Sequence, residues 1–267
     1  MYKEKEKADP KIERQTRVPA LNRSLDIMRF IKKHPRCTTS DIVKALNYPR
    51  SSIYVLLEEL QNLGFIKLNN KGEVQLWMTL IELGSSAKRN LDLRDIIVPH
   101  LNTLLDSIDC IAVHYGIMDG DKGFYAIKLD SPHSSMSIMS HEGLEISLVH
   151  AGLGKCLLAF QDEDVKNRIV KNLDYKKATE TSIDNPKALR EELDVIRVRG
   201  WAFDNSEGEE SIRCVAAPIF YDDRIIGAIS IVGMVHKYTD DVIPYIVEKT
   251  MKCAKSIQNS INEKSKI

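Results

Sequence analysis

Thr38 to Gly64 reads TTSDIVKALNYPRSSIYVLLEELQNLG, and this stretch decides the fold of the front of the chain. Thr38 and Asp41 have the spacing of a capping box, in which each side chain satisfies a backbone N–H left free at a helix start. Ile42, Val43 and Leu46 then recur at helical spacing. Asn47-Tyr48-Pro49 breaks the pattern, because proline lacks the N–H that a helix interior needs. A second helix follows, with Ile53, Leu56, Leu57, Leu60 and Leu63 on one buried face, and Gly64 suits its C-terminal cap. The open face begins with Arg50, Ser51, Ser52 and Tyr54. Helix, tight turn and helix, with donors at the second N-terminus, is how a recognition helix enters the major groove. These four, with Thr39 and Ser40 at the first helix start, are candidate DNA contacts.

An ordinary helical hairpin with a solvated face has the same spacing, so the flanks matter. Phe65–Leu68 and Glu73–Leu76 are short strands around Asn69-Asn70-Lys71-Gly72, a hairpin with turn chemistry at its tip. A helix-turn-helix closed by a hairpin is a winged helix, and Lys67 and Lys71 would bring charge to a phosphate backbone. Upstream, Leu21, Leu25, Met28 and Ile31, widened by Ile27 and Phe30, mark a helix that ends near His34-Pro35. Arg23, near its start, is a candidate phosphate contact.

Charge agrees with that division. Residues 1–75 hold 15 Lys+Arg against 9 Asp+Glu, while residues 76–267 hold 23 against 29, so only the front suits a polyanion. A chain of 267 residues has room for two domains. No apolar run approaches the ~18 residues of a membrane span, and the charged N-terminus lacks the apolar core of a secretory signal. The expectation is a cytoplasmic protein without a membrane partner. Cys37, Cys110, Cys156, Cys214 and Cys253 are scattered, odd in number and free of C-x-x-C, which points to buried thiols rather than to disulfides or zinc. No cofactor and no metal site is expected.

Residues 1–18 read as a disordered arm, residues 19–85 as the winged helix-turn-helix domain and residues 86–108 as linker helices. Residues 109–267 read as an α+β domain. Within it, CIAVHYGIMDGDKGFYAIKL is two strands around Asp119-Gly120-Asp121, and Ser135–Ser140 is a further candidate strand. Gly154–Phe160 starts a helix and Asp162 opens another. Pro186 starts a third through Leu189, Leu193 and Ile196, stopped by Gly200. Trp201–Phe203, Cys214–Tyr221 and Ile225–Gly233 are extended. Thr239 opens a terminal helix carrying Val242, Ile246, Val247, Met251 and Ile257.

Together these residues resemble the IclR family of bacterial transcriptional regulators. The resemblance spans nearly the whole chain after Pro19. It rests on ALNRSLDIMRFI, TTSDIVKALNYPRSSIY and LLEELQNLGFI in front, and on AGLGKCLLAF, GWAFDNSEGEESIRCVAAPIF and GAISIVG behind. It implies a winged helix joined by a linker to a GAF-like antiparallel-sheet effector domain, assembly as homodimers or homotetramers, and a double-stranded DNA operator as partner. It also implies an effector pocket lined by Gly152, Leu153, Asp204, Cys214 and Ser230. The sequence departs from the family pattern in places. Val55 stands where the family commonly has an arginine in the recognition helix, and Ser211 where it has a glycine. The pocket motif reads SLVHAGLGK, with the histidine displaced by one. Val232 replaces a second serine of the last sheet motif, which makes the pocket less polar.

Two apparent catalytic signals fail on spacing. Gly152-Leu153-Gly154-Lys155 lacks the first glycine and the Ser/Thr of a P-loop. Cys156 and His150, six apart across a loop-to-helix junction, are a weak nucleophile–base pair. His34, His100, His114, His133, His141 and His236 show no ligand spacing and read as surface or satisfied histidines. The chain is therefore expected to be a non-enzymatic DNA-binding regulator, a repressor by default. Its effector is expected to be a small hydroxy- or keto-acid: amides near Gly152 suit a carboxylate, and Asp204 suits a hydroxyl. The alternative is a non-enzymatic small-molecule sensor working through protein–protein contacts.

Overall fold

The computed structural model describes residues 17–89 and 93–264. Most of the expected N-terminal arm, residues 1–16, and residues 90–92 of the expected linker lie outside the described residues. The chain divides into two units at residues 90 and 91.

The first unit begins with α1 (Pro19–Lys33), α2 (Thr39–Ala45) and α3 (Arg50–Asn62). The capping box forms at α2: Asp41 N–H donates to Thr38 Oγ1 at 3.3 Å and Thr38 N–H to Asp41 Oδ2 at 2.9 Å. Gly64, at φ +72°, ends α3 in the left-handed region that a side chain rarely adopts. The strands β1 (Ile66–Leu68) and β2 (Val74–Leu76) pair antiparallel, and Thr38 bridges Glu73 beside them. Asn69 shapes the wing tip, its Oδ1 accepting from the N–H groups of Lys71 and Glu73 at 2.9 and 3.0 Å. α4 (Met78–Arg89) closes the unit.

Ile27 and Ile31 of α1, Ile42 of α2, Ile53, Leu57 and Leu60 of α3, and Ile66 and Val74 of the wing form one core. Leu21 and Leu25 do not join it. They are exposed, because they lie about a quarter turn or more around α1 from the Ile27–Ile31 row. Leu63, expected on the buried face of α3, is also exposed, since the helix gives way to the Gly64 turn there.

The second unit is a six-stranded antiparallel sheet of order β5-β4-β3-β8-β7-β6. Its strands are β3 (Ala112–Asp119), β4 (Lys122–Asp130), β5 (Glu145–Ile146), β6 (Ala202–Asn205), β7 (Ile212–Tyr221) and β8 (Arg224–Met234). Alternation along the strands splits the side chains between two faces. Val113, Tyr115, Val215, Ala217, Ile219, Ile229 and Ile231 pack with α5 (Arg94–Ser107) and α9 (Ile243–Lys264). Ala202, Ala216 and Ala228 pack on the other side with α6 (Gly152–Ala159), α7 (Glu163–Asn172) and α8 (Pro186–Arg199). Small residues on that face let α6 approach closely. α8 runs from Pro186 to a left-handed Gly200 cap, as its punctuation predicts.

Two expectations for this unit are corrected. Ser135–Ser140 is not a strand but part of an irregular strap, residues 131–144, between β4 and β5. Ser134 bonds the nearby backbone instead: its Oγ donates to the Met136 carbonyl at 3.0 Å, and Met136 N–H donates back at 3.1 Å. Such local bonds compete with a sheet ladder. Met251 is exposed on α9, and Thr250 takes the buried position, its hydroxyl satisfied by the Ile246 carbonyl at 2.7 Å.

Candidate functional site

The first candidate surface is the N-terminal half of α3. Arg50 and Ser51 are exposed in its first turn, and Tyr54 and Val55 are 55% and 58% exposed. Arg23 of α1 reaches this end of α3. Its Nη1 donates to Ser52 Oγ at 3.1 Å, and its guanidinium lies 5.3 Å from the centre of the Tyr48 ring. The Tyr48 hydroxyl in turn donates to Asp26 Oδ2 at 2.6 Å. Arg23 and Ser52 thus brace α1 against α3. Thr39 and Ser40 occupy the first turn of α2. Lys71 is exposed at the wing tip, while Lys67 holds its ammonium 4.3 Å from the centre of the Trp77 ring.

The second candidate site lies where α6 begins. The sheet register builds two rows across its α6 face. One row is His114, Ser230, Ala216 and Ala202, and the next is Ala112, Val232, Cys214 and Asp204. Gly152 meets the end of the second row. A Cβ there would stand 3.2 Å from Asp204 N and 3.3 Å from the Cys214 carbonyl, tighter than ordinary contact. At Gly154 a Cβ would stand 2.1 Å from the Ser147 carbonyl, so only glycine permits this crossing. Gly152, Leu153, Asp204, Cys214 and Ser230 are thereby brought together, from four separate elements, at one helix N-terminus.

The electrostatics follow from burial. Burial, then the Asp204 carboxylate, push the Cys214 thiol up to about 12, against the pull of the Ser230 hydroxyl and the Leu153 N–H. Burial also raises Asp204 to about 7, partly offset by the Glu207 N–H, which donates to its Oδ1 at 2.8 Å. Lys155 of α6 is fully buried and salt-bridged to Glu207, with Glu192 3.8 Å away. Ser182 Oγ donates to the Glu207 carbonyl at 2.7 Å and Thr179 Oγ1 to that of Ser206 at 2.8 Å. The turn after Asp204 is held from three sides.

His114 is a residue that sequence reasoning left outside the site. It is 1% exposed, with Nδ1 3.3 Å from Ser230 Oγ and Nε2 2.9 Å from Ser140 Oγ of the strap. It is a satisfied histidine, but its partners are a site residue and the site's cover. Burial, then Lys128, lower its pKa to about 3, so the ring is neutral. Ile138 of the strap packs on Ala112, Cys214 and Val232. At its far end the strap is tied down by Glu142, which pairs with Arg94 Nη2 at 2.9 Å in the first turn of α5.

The nucleophile–base pair is not assembled. His150 Nε2 is bonded to the Ile183 carbonyl at 3.1 Å, and burial pushes the Cys156 thiol well above its ordinary value. A separate cavity of about 270 Å³ lies at the other end of α6, lined by Met118, Gly120, Leu157, Gln161, Ile225, Ile226 and Gly227, with no titratable side chain.

Residues 85–259 match the family described as bacterial transcriptional regulator IclR, C-terminal, and residues 20–69 match the IclR helix-turn-helix domain. The chain belongs to the IclR family. It is 37% identical over 251 residues to the HTH-type transcriptional regulator RhmR of Escherichia coli K12, covering 94% of this chain and 96% of that one. It is 29% identical to the regulator KdgR of the same organism, over 86% and 88% of the two chains. The crystal structure of the Thermotoga maritima IclR superposes with a TM-score of 0.73 at 31% identity, over 90% of this chain and 97% of that one. This IclR-family chain is thus a DNA-binding transcriptional regulator and not an enzyme. Among the described residues no helix is long and apolar enough to cross a membrane.

Proposed function

We propose that this regulator represses transcription from a roughly palindromic operator, and that a small hydroxy- or keto-acid bound at the start of α6 controls that binding. Residues 19–85 would serve as the DNA-binding domain, 86–108 as the linker and 109–267 as the effector domain, in the cytoplasm. The carrying observation is the convergence of Gly152, Leu153, Asp204, Cys214 and Ser230 at one helix N-terminus beneath the strap. Helix-start amides favour a carboxylate. Lys155 is spent on Glu207, and Lys128 Nζ is 3.0 Å from Asp130 Oδ1, so those amides carry the anion. Asp204 offers an acceptor to a hydroxyl.

The operator contacts would be Arg50, Ser51, Ser52, Tyr54, Thr39 and Ser40, with Arg23, Lys67 and Lys71 on the phosphates. Two half-sites need two copies of α3. The exposed apolar side chains Trp77, Met78, Ile81 and Leu83 at α4 suit a second copy of this chain as a dimer or tetramer. Effector binding would displace the strap and, through Glu142 and Arg94, the start of α5; coupling of ~1–3 kcal/mol is typical of such links.

Titration of the full chain onto DNA upstream of its own gene, with hydroxy- and keto-acids added, tests this reading. Acid-dependent release that Asp204→Ala and Ser230→Ala both weaken supports it. Salt-independent association with DNA would favour protein contacts as the helical domain's main role.

A further inference from the structure

His114 bonds two neutral hydroxyls, while the cation beside it, Lys128 opposite it in the β3–β4 ladder, is engaged by Asp130 and the Ile138 carbonyl. A neutral imidazole has one donor and one acceptor nitrogen, and here both are engaged by hydroxyls, of Ser230 and Ser140. The two hydroxyls differ in kind. Ser230 sits in the middle of β8, fixed by ladders to β3 and β7. Ser140 sits on the irregular strap, between the exposed Met139 and the exposed His141. One partner of the ring is therefore permanent and the other removable.

Tyr125 stands beside His114. It is opposite Gly116 in the β3–β4 ladder, and its ring tilts against the imidazole with centres 4.9 Å apart. Burial, then Cys214 and Asp204, raise its phenol above the ordinary value. No hydrogen bond from it is found among the described residues, although the ring is half-buried.

A ligand that displaces Ser140 must replace what it removes. A hydroxyl both donates and accepts, so it satisfies the vacated ring nitrogen in either tautomer, and a neighbouring hydroxyl can reach Tyr125. A methylene or an aryl edge satisfies neither and leaves a desolvated nitrogen unpaired. Sites built to bond a hydroxyl reject analogues that lack it far more strongly than apolar pockets reject an added one.

Resting on the effector reading above, we propose that His114 is a specificity-determining residue of the site. With Tyr125 and Ser230 it selects acids that carry hydroxyls along their chain over alkyl or aryl acids of similar size. Charge complementarity at α6 would then select the acid, and these hydrogen-bonding groups would select its other end.

The test is calorimetric titration of the full chain with a panel of four- to six-carbon aldonates, and with hexanoate and benzoate. The expected result is that the best aldonate binds at least roughly tenfold tighter than either unhydroxylated acid. His114→Phe should erase that gap by weakening the aldonate while leaving hexanoate and benzoate within about threefold. His114→Gln, which keeps a donor and an acceptor, should retain part of the preference. Tyr125→Phe removes a hydroxyl and nothing else, and provides the same readout should His114→Phe fail to fold. Hexanoate or benzoate binding wild type as tightly as every aldonate overturns the proposal and leaves the effector reading standing. Equal weakening of all acids by the variants reduces His114 to a structural residue and also overturns it. If no acid of either kind binds and none alters operator affinity, the effector reading itself fails.

Discussion

Ser140 Oγ lies 2.9 Å from His114 Nε2, so the cover of the candidate pocket is bonded directly to its floor. On the effector reading, ligand entry would require the strap to open at Ser140, between its other anchors: Ile138 on the apolar row, its carbonyl accepting from Lys128 Nζ at 3.2 Å, Glu142 on Arg94 and on the Lys128 N–H, and backbone bonds to β4 at Gly143 and Leu144 and to Ile111 at Ser131.

Ser140→Ala should loosen the strap without unfolding the sheet. A loss of about 1 kcal/mol is expected for one hydrogen bond. Hydrogen exchange should quicken across residues 131–144 and not in β3 or β8. Faster exchange throughout the second unit would mean that the bond supports the fold and not the cover.

Arg94 and Glu142 are only partly exposed, at 30% and 15% of their side-chain surface. Arg94→Ala should leave the affinity of the ligand-free protein for its operator within about twofold and shrink the effector's influence on it, a coupling of ~1–3 kcal/mol in typical systems. The readout is operator binding at zero and at saturating acid. Full coupling in the variant would show that the signal takes another route.

Arg50→Ala should weaken operator binding by ~1–3 kcal/mol with normal circular dichroism. Val55→Arg, at an exposed position on α3, should strengthen DNA binding and steepen the salt slope by about one ion. An unchanged slope would place Val55 away from the phosphates.

On the proposed effector reading, Asp204 would make acid binding depend on pH. Its folded-state value of about 7 lies above the ordinary carboxylate value, because burial outweighs the Glu207 N–H, with Glu207 raising it further and Lys155 lowering it. The stability it contributes is present below the unfolded value and lost as the pH rises through about 7. Acid binding should weaken over the same window as the carboxylate ionises beside the ligand. His114, held near 3, stays neutral throughout. Asp204→Asn should flatten the binding profile around pH 7, read by calorimetry, and the stability profile between about pH 4 and 7, read by thermal melts. A wild-type affinity that rises with pH would contradict this.

Local elements were legible because their causes are local. The Thr38–Asp41 capping box, the Asn69 wing turn and the Pro186-to-Gly200 helix each depend on residues close together in the sequence. Leu21 and Leu25 misled because apolar spacing does not say which face of α1 meets a partner. Ser135–Ser140 misled because alternation alone cannot supply a neighbouring strand. His114 could not be assigned because its partner Ser230 is 116 residues away, and strand register between β3 and β8 is set by the fold. The five residues that the family pattern suggested lie together, since Gly152 permits the close approach of α6 to β6 and β7 and Gly154 the close approach of α6 to the Ser147–Leu148 backbone.

The most direct test follows fluorescence anisotropy of operator DNA bound by the full chain, as hydroxylated acids are titrated into wild type and Asp204→Ala. The account predicts that at least one such acid releases wild type from the operator at a concentration that barely affects Asp204→Ala, while both proteins bind the operator equally well without it. Identical release curves for the two proteins, or no release of wild type by any acid, would contradict the account.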